Sequence, residues 1–364
     1  MSKIVTFGEV MGRLAPESFL RLAQAMPGRL EFTFGGAESN VAASLALLGA
    51  EAEFVTALPD TELGDACLAY FRGLGVGTSN ILRVPGSRLG LYFVETGANQ
   101  RPSHVVYDRA HSALARAPAS AYPWEAIFDG AAWFHVSGIT PAVSRAAAES
   151  VQAAVETARR LGLTVSCDLN FRKKLWRWEP PLAPRDLAGK TMRALLPFVD
   201  VLIANEEDAA DVLGIRAAAG DAQAGRLEAG AYPDVAREIR RQFGQLRAVA
   251  ITLRQSVSAT HNNWGGLLYD AASDAAHFAP SDESGAYRPY AITAIVDRVG
   301  GGDAFAAGLI FALTTPALAA PERAVAFAAA ASCLAHSVKG DVNYASRAEV
   351  EALLAGGGSG RVVR

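Results

Sequence analysis

The chain has 364 residues, half of them hydrophobic, with 34 Lys+Arg set against 37 Asp+Glu for a formal net charge of -3. That balance describes a globular protein long enough to bury a large core, with no basic footprint for nucleic acid and no apolar run that approaches a membrane span. The N-terminus passes straight into a strand pattern, which reads as cytoplasmic, and Cys67, Cys167 and Cys333 have the spacing of buried thiols rather than of a metal or redox pair.

Short apolar runs then alternate with alanine-rich helical runs. Residues 4–7, 52–57, 132–136, 164–168, 201–204 and 248–252 read as core strands, with a late hairpin around 266–278. Helical patterns fill 40–48, 63–74, 144–161 and 235–243, several of them closed by a glycine such as Gly49, Gly75 or Gly162. This alternation predicts βαβ units, hence an α/β protein whose mostly parallel sheet is covered by helices. Two segments break the rhythm, 13–33 and 89–111. In the second, Leu91-Tyr92-Phe93-Val94-Glu95 and Val105-Val106-Tyr107-Asp108-Arg109 alternate like antiparallel strands with one wet face, so a small sheet there would stand off the main layer as a lid. Residues 216–232, rich in alanine, glycine and charge, read as a surface insertion without chemistry.

The stretch Val296-Asp297-Arg298-Val299-Gly300-Gly301-Gly302-Asp303-Ala304-Phe305 carries the strongest chemical signal. Residues 292–296 read as a buried strand and 304–313 as an apolar helix, which sets Gly300, Gly301 and Gly302 at a strand-to-helix turn. Free amides at a helix N-terminus bind anions, and glycines let a phosphate approach without a Cβ in the way. Asp303, in the first turn beside that phosphate, is placed to take a proton from an attacking hydroxyl. The structural alternative is an Asp cap on a core helix. Asn205 and Glu206 follow the strand 201–204, where an amide and a carboxylate can hold Mg²⁺ through water or merely open a helix. Thr252, Arg254 and Ser256, after another strand end, are candidates for nucleotide phosphates. Asp168 and Asn170 read as residues that orient the loop bearing Arg172. Gly35-Gly36-Ala37-Glu38-Ser39-Asn40 lacks the spacing of a P-loop or a dinucleotide fingerprint and reads as a turn that admits a sugar closely. The six histidines show no zinc spacing and read as structural.

The glycine turn ending in Asp303, the early Gly-Gly before a helix, and Asn205-Glu206-Glu207-Asp208 together resemble the ribokinase-like (PfkB) carbohydrate kinases along nearly the whole chain. Within them, the stretches 102–109, 167–176, 297–303 and the tail 359–364 resemble the branch acting on 2-keto-3-deoxygluconate. The resemblance implies a three-layer α/β/α domain spanning 1–364 with a β-sheet lid that often forms the dimer contact, and it implies ATP and Mg²⁺. It carries over Asp303 as base, the amides of Gly300, Gly301 and Gly302 as anion hole, and sugar contacts at Gly36 and Asn40. For the sugar-acid branch it adds Tyr92, Tyr107, Arg109 and Arg172. Arginine matches a carboxylate with two parallel donors, and a tyrosine offers a sugar an apolar face with a hydroxyl tip. The structural alternatives are an ion pair of Arg109 with Asp108, a solvated basic turn at Arg172, and ordinary strand aromatics. Asn343 is assigned near the adenine, and Asp208 joins Glu206 at the metal. Three residues depart from the family pattern: Gly301 where alanine is usual, which should be sterically harmless, Arg298 where a small hydroxyl residue is usual, and Asp208 where glutamate is more frequent. The expected reaction is ATP-dependent phosphorylation of the C6 hydroxyl of 2-keto-3-deoxygluconate. The rivals are another sugar kinase of the family, such as a fructokinase or a 5-dehydro-2-deoxygluconokinase, and a silent sugar-acid sensor. A nicotinamide oxidoreductase lacks its glycine fingerprint after the first strand.

Overall fold

The computed structural model describes residues 3–205, 207–217 and 228–356. Its strands in chain order are β1 (Lys3–Phe7), β2 (Met11–Ala15), β3 (Glu31–Gly35), β4 (Ala52–Val55), β5 (Ala57–Pro59), β6 (Leu82–Val84), β7 (Gly90–Glu95), β8 (His104–Asp108), β9 (Ala131–Ser137), β10 (Thr164–Asp168), β11 (Val201–Ala204), β12 (Ala248–Ser258), β13 (His261–Asp270), β14 (Ala275–Ala279) and β15 (Tyr290–Ile292). The main sheet runs β14-β13-β12-β11-β10-β9-β1-β4, with β15 also paired to β13. From β4 to β12 neighbouring strands are parallel, and β13, β14 and β15 finish the sheet antiparallel.

Alternate side chains of the parallel strands enter two different cores, which is why these strands read as unbroken apolar runs. Val5 and Phe7 of β1 join the core shared with the helices Arg145–Arg160, Pro184–Leu195 and Tyr232–Gln242. Ile4 joins the opposite core, with the helices Ala37–Leu47, Gly301–Leu313 and Pro321–Ala335. Helix Gly301–Leu313 is apolar on nearly every side because it is enclosed there. At Gly308 an added Cβ would lie 2.9 Å from the Ala328 Cα, so the helices touch backbone to backbone. No helix among the described residues is long and apolar enough to cross a membrane.

The lid is a separate sheet of order β3-β2-β7-β8. Its strands lie in and around the two segments that interrupt the α/β rhythm, and the strict burial alternation of β7 matches a sheet with one wet face.

Two expectations need correction. Residues 292–296 do not form a buried strand. Pairing with β13 ends at Ile292, residues 293–300 continue without strand pairing, and Val296 is exposed, because the Ile295 and Val296 amides bond instead to Thr260 and His336 carbonyls. Residues 52–57 form two strands rather than one, since Thr56 ends the pairing with β1 and the chain then pairs with β6 in a sheet of its own. Most of the insertion at 216–232 and the tail 359–364 lie outside the described residues.

Candidate active site

A cavity of about 440 Å³ lies between the lid and the ends of β10, β11 and β12. This is the carboxyl edge of the parallel sheet, where strand order leaves room for ligands in α/β folds.

Gly300 opens the helix Gly301–Leu313 in a left-handed conformation (φ 83°), and a Cβ there would lie 2.1 Å from the Asp341 carbonyl oxygen. Only glycine meets both demands. The amides of Gly301, Gly302 and Asp303 belong to the first helical turn and have no acceptor within the helix. Neither they nor the Gly300 amide bonds to any described residue. Asp303 is half-buried beside them and accepts a hydrogen bond from Asn40 Nδ2 at 2.7 Å. Burial pushes its carboxyl up to about 7, opposed by the Asn40 bond and Arg172 and reinforced by the negative charge of Asp341.

Gly36, Asn40, Tyr92, Tyr107 and Arg172 all line the same cavity. Asn40 closes the early glycine turn as well, its Oδ1 accepting the Gly36 amide at 3.2 Å. Tyr92 is buried and donates to Asp341 Oδ2 at 2.5 Å. Arg172 is exposed to the cavity, and its charge partly offsets the upward push that burial gives the carboxyls of Asp168, Asp208 and Asp303. For Asp168 desolvation outweighs that effect, and the carboxyl is held well above the usual range. Asp168 Oδ1 accepts the amide of Asn170, whose left-handed backbone (φ 37°) turns the chain toward Arg172.

Arg109 does not line this cavity, which corrects its assignment as a direct partner of the substrate acid. It is 8% exposed, and its Nε and Nη2 both donate to Glu9 Oε2, the former at 2.7 Å. Glu9 is buried too, and a buried carboxylate holds a guanidinium strongly. The Arg109 guanidinium carbon is 5.7 Å from the ring centre of Tyr107, which does line the cavity.

On the opposite side Asn205, Thr252 and Arg254 line the cavity. Ser256 does not, because β12 runs on to Ser258 and carries it out to solvent. Asn343 does not either. Its Nδ2 donates to the Ala331 carbonyl at 3.1 Å and its Oδ1 accepts the Ala345 amide at 3.1 Å, so both ends of its amide brace the loop it sits in. Glu206 lies outside the described residues. Asp208 lines the cavity, its two oxygens accepting the Phe171 and Asn205 amides at 3.1 Å each. Among the described residues no group of three or more His, Cys, Asp or Glu could hold a metal ion. Mg²⁺ that travels with a nucleotide needs no such cage, since it keeps waters and takes one or two carboxylates plus phosphates. Asp208 retains acceptor capacity beyond its two backbone bonds and fits that demand.

Sequence reasoning missed several cavity residues. Asn262, Trp264, His336 and Asp341 line it, and Arg298 points into it from the loop before the glycines, bonded to Asn262 Oδ1 at 3.0 Å. At Gly301 an added Cβ would approach the His336 imidazole Cε1 to 3.0 Å, so glycine leaves that ring room that an alanine would take up. The motif Gly340-Asp341-Val342-Asn343 brings Asp341, not Asn343, to the cavity.

Open amides at a helix entrance, with a carboxylate of raised pKa beside them in a lidded cavity, define an enzyme that moves a phosphoryl group onto a small-molecule hydroxyl. Residues 1–233 match the model of the pfkB family carbohydrate kinases. The chain belongs to that family and is a sugar kinase. The crystal structure of 2-dehydro-3-deoxygluconokinase from Thermotoga maritima superposes with a TM-score of 0.86 at 43% identity, covering 98% of this chain and all of that one. The 2-dehydro-3-deoxygalactonokinase of Haloferax volcanii is 34% identical over 99% of this chain and 98% of its own. A putative Ribokinase II from E. coli, at 18% identity and a TM-score of 0.75, shares the ribokinase-like fold.

Proposed function

We propose that this protein uses ATP and Mg²⁺ to phosphorylate the C6 hydroxyl of 2-keto-3-deoxygluconate, giving the 6-phosphate. The observation that carries the reading is Asp303 half-buried beside the unbonded amides of Gly300 to Gly302, in one cavity with Arg172. The Thermotoga protein, named for this sugar acid, supports the choice of substrate.

In the reaction Asp303 takes the proton of the C6 hydroxyl as its oxygen attacks the γ-phosphorus of ATP, and ADP leaves. Negative charge spreads over the transferred oxygens, and the four amides around Gly300 to Asp303 meet it without reorganising. Asn40 keeps Asp303 oriented and favours its charged form. Arg172 receives the substrate carboxylate, and Tyr107 and Tyr92 present the lid's inner wall. Asn205, Thr252 and Arg254 serve the nucleotide. Asp208, with Glu206 as the second candidate, would hold Mg²⁺, which neutralises phosphate charge when bound. The whole chain works as one kinase domain with the lid inserted in it, in the cytoplasm, without nucleic acid or membrane. It self-associates through the lid, where Phe32 and Val106 are exposed.

A coupled ADP-release assay across gluconate- and galactonate-derived 2-keto-3-deoxy acids and fructose tests this. Turnover should be greatest with the gluconate-derived acid. Turnover confined to fructose would overturn the acid reading, and a preference for the galactonate-derived acid would favour the second reading, which the Haloferax relative supports.

A further inference from the structure

Arg13 belongs to the lid strand β2, and its guanidinium reaches two carboxylates beside the glycine turn. It is 3% exposed and bridges two carboxylates, donating to Asp297 Oδ2 at 2.5 Å and to Asp341 Oδ1 at 2.6 Å. Burial would lower its pKa, but the two acids outweigh that and hold it charged. A second lid strand, β7, adds the Tyr92 hydroxyl on Asp341 Oδ2.

Both acids shape the anion hole. Asp297 Oδ1 accepts the amides of Arg298 and Val299 at 2.8 and 3.1 Å, and its Oδ2 accepts the Gly340 amide at 3.2 Å. These bonds fold the loop that delivers Gly300. The Asp341 backbone lies directly against Gly300. Val299, the residue before Gly300, packs on the lid's own apolar cluster of Met11, Ala15, Tyr92 and Val94. The turn that presents the amides is therefore held in part by the lid.

We propose that Arg13 is a positioning residue, a latch that makes the geometry of the anion hole depend on the lid being docked. The latch joins closure over the sugar to readiness for phosphoryl transfer. With the lid open, Asp297 and Asp341 lose their shared cation and the Arg298–Gly300 loop loses its brace. ATP then meets poorly aligned amides, and its transfer to the sugar slows.

The inference rests on the phosphotransfer reading above, and two kinds of measurement separate their failures. Arg13→Met should lower kcat by roughly ten- to a hundredfold, the order expected when reacting groups are slightly misplaced. The KM for ATP should stay within about threefold, because no nucleotide contact is removed. The ratio of ADP released to sugar phosphate formed should rise above that of the wild type, since an unlatched lid admits water. Hydrogen exchange, which needs no substrate, should quicken at the Arg298, Val299 and Gly340 amides while the core helices stay unchanged. Arg13→Lys keeps the charge but cannot bridge both acids, so it should show the same pattern more weakly. It also decides the matter if Arg13→Met does not fold. Folded variants with wild-type kcat, wild-type stoichiometry and unchanged exchange at those amides would overturn the latch. If the wild type phosphorylates none of the sugars, the substrate reading fails, and the exchange comparison alone decides the latch.

Discussion

At Gly36 and again at Gly300 the chain turns into a helix that faces the same cavity, but the two turns differ in what they leave open. Gly36 has an extended backbone (φ 172°) that any residue could adopt, and it is glycine because a Cβ would lie 2.1 Å from the Glu9 carbonyl oxygen. Its amide is taken by Asn40. Gly300 is left-handed, equally hemmed in by Asp341, and followed by amides bonded to nothing described. A closed turn can shape a wall, whereas an open one can receive charge. Glycines before a helix therefore mark close packing, and the hydrogen-bond account of the turn separates a wall from an anion site.

The largest test removes the base that stands beside the open turn. Asp303→Asn should cut kcat at least about a hundredfold and leave ATP affinity nearly unchanged, read by steady-state kinetics and nucleotide titration. Ordinary turnover in that variant would end its assignment as base. Exchanging each glycine for alanine then tests the contrast itself. Gly300→Ala should lower kcat by about a hundredfold, the scale of a lost anion-hole donor, along with Tm. Gly36→Ala should lower Tm and raise the sugar KM while sparing ATP binding. Equal effects on ATP in both variants would erase the distinction.

Smaller effects sharpen it. Arg172→Lys should raise the KM of the sugar acid about tenfold, the cost of trading a two-pronged charge-assisted contact for a point charge, with little change for fructose. Arg109→Lys should instead show mainly in Tm, because it disturbs a buried pair with Glu9. The smallest shift is in pH dependence. Asp303 acts only when deprotonated, so kcat/KM should rise with pH through about 7 and level off above it. Asn40→Ala removes a donor that favours the carboxylate, so the acid limb should move to higher pH. A limb that stayed in place would mean that another group sets it.

Much of the fold was legible because its signals are local. Apolar runs of strand length, glycines closing helices and the alternation of β7 are each read within a few residues, and strands β10 and β11 match their expected bounds. The segment 292–296 misled because Ile295 and Val296 have strand-like composition, while their amides find partners on Thr260 and His336 that no local pattern announces. At the site, Gly300 to Asp303, Arg172 and the two tyrosines, singled out along the chain, line one cavity. Ser256 failed because a strand proved longer than its apolar run, and Asn343 because its amide ties its own loop to the helix Pro321–Ala335.

Alone, the sequence determined the layered α/β plan, the lid segments and the glycine turn with its acid, since periodicity and backbone demands act between near neighbours. Only the tertiary structure decided which polar groups are free to meet a ligand. Arg109 and Arg172 look equivalent along the chain, but burial beside Glu9 engages one and leaves the other facing the cavity. Arg13 finds its acids 284 and 328 residues away. An ionic group's role depends on its solvent exposure and its partners, and folding assigns both across the full length of the chain.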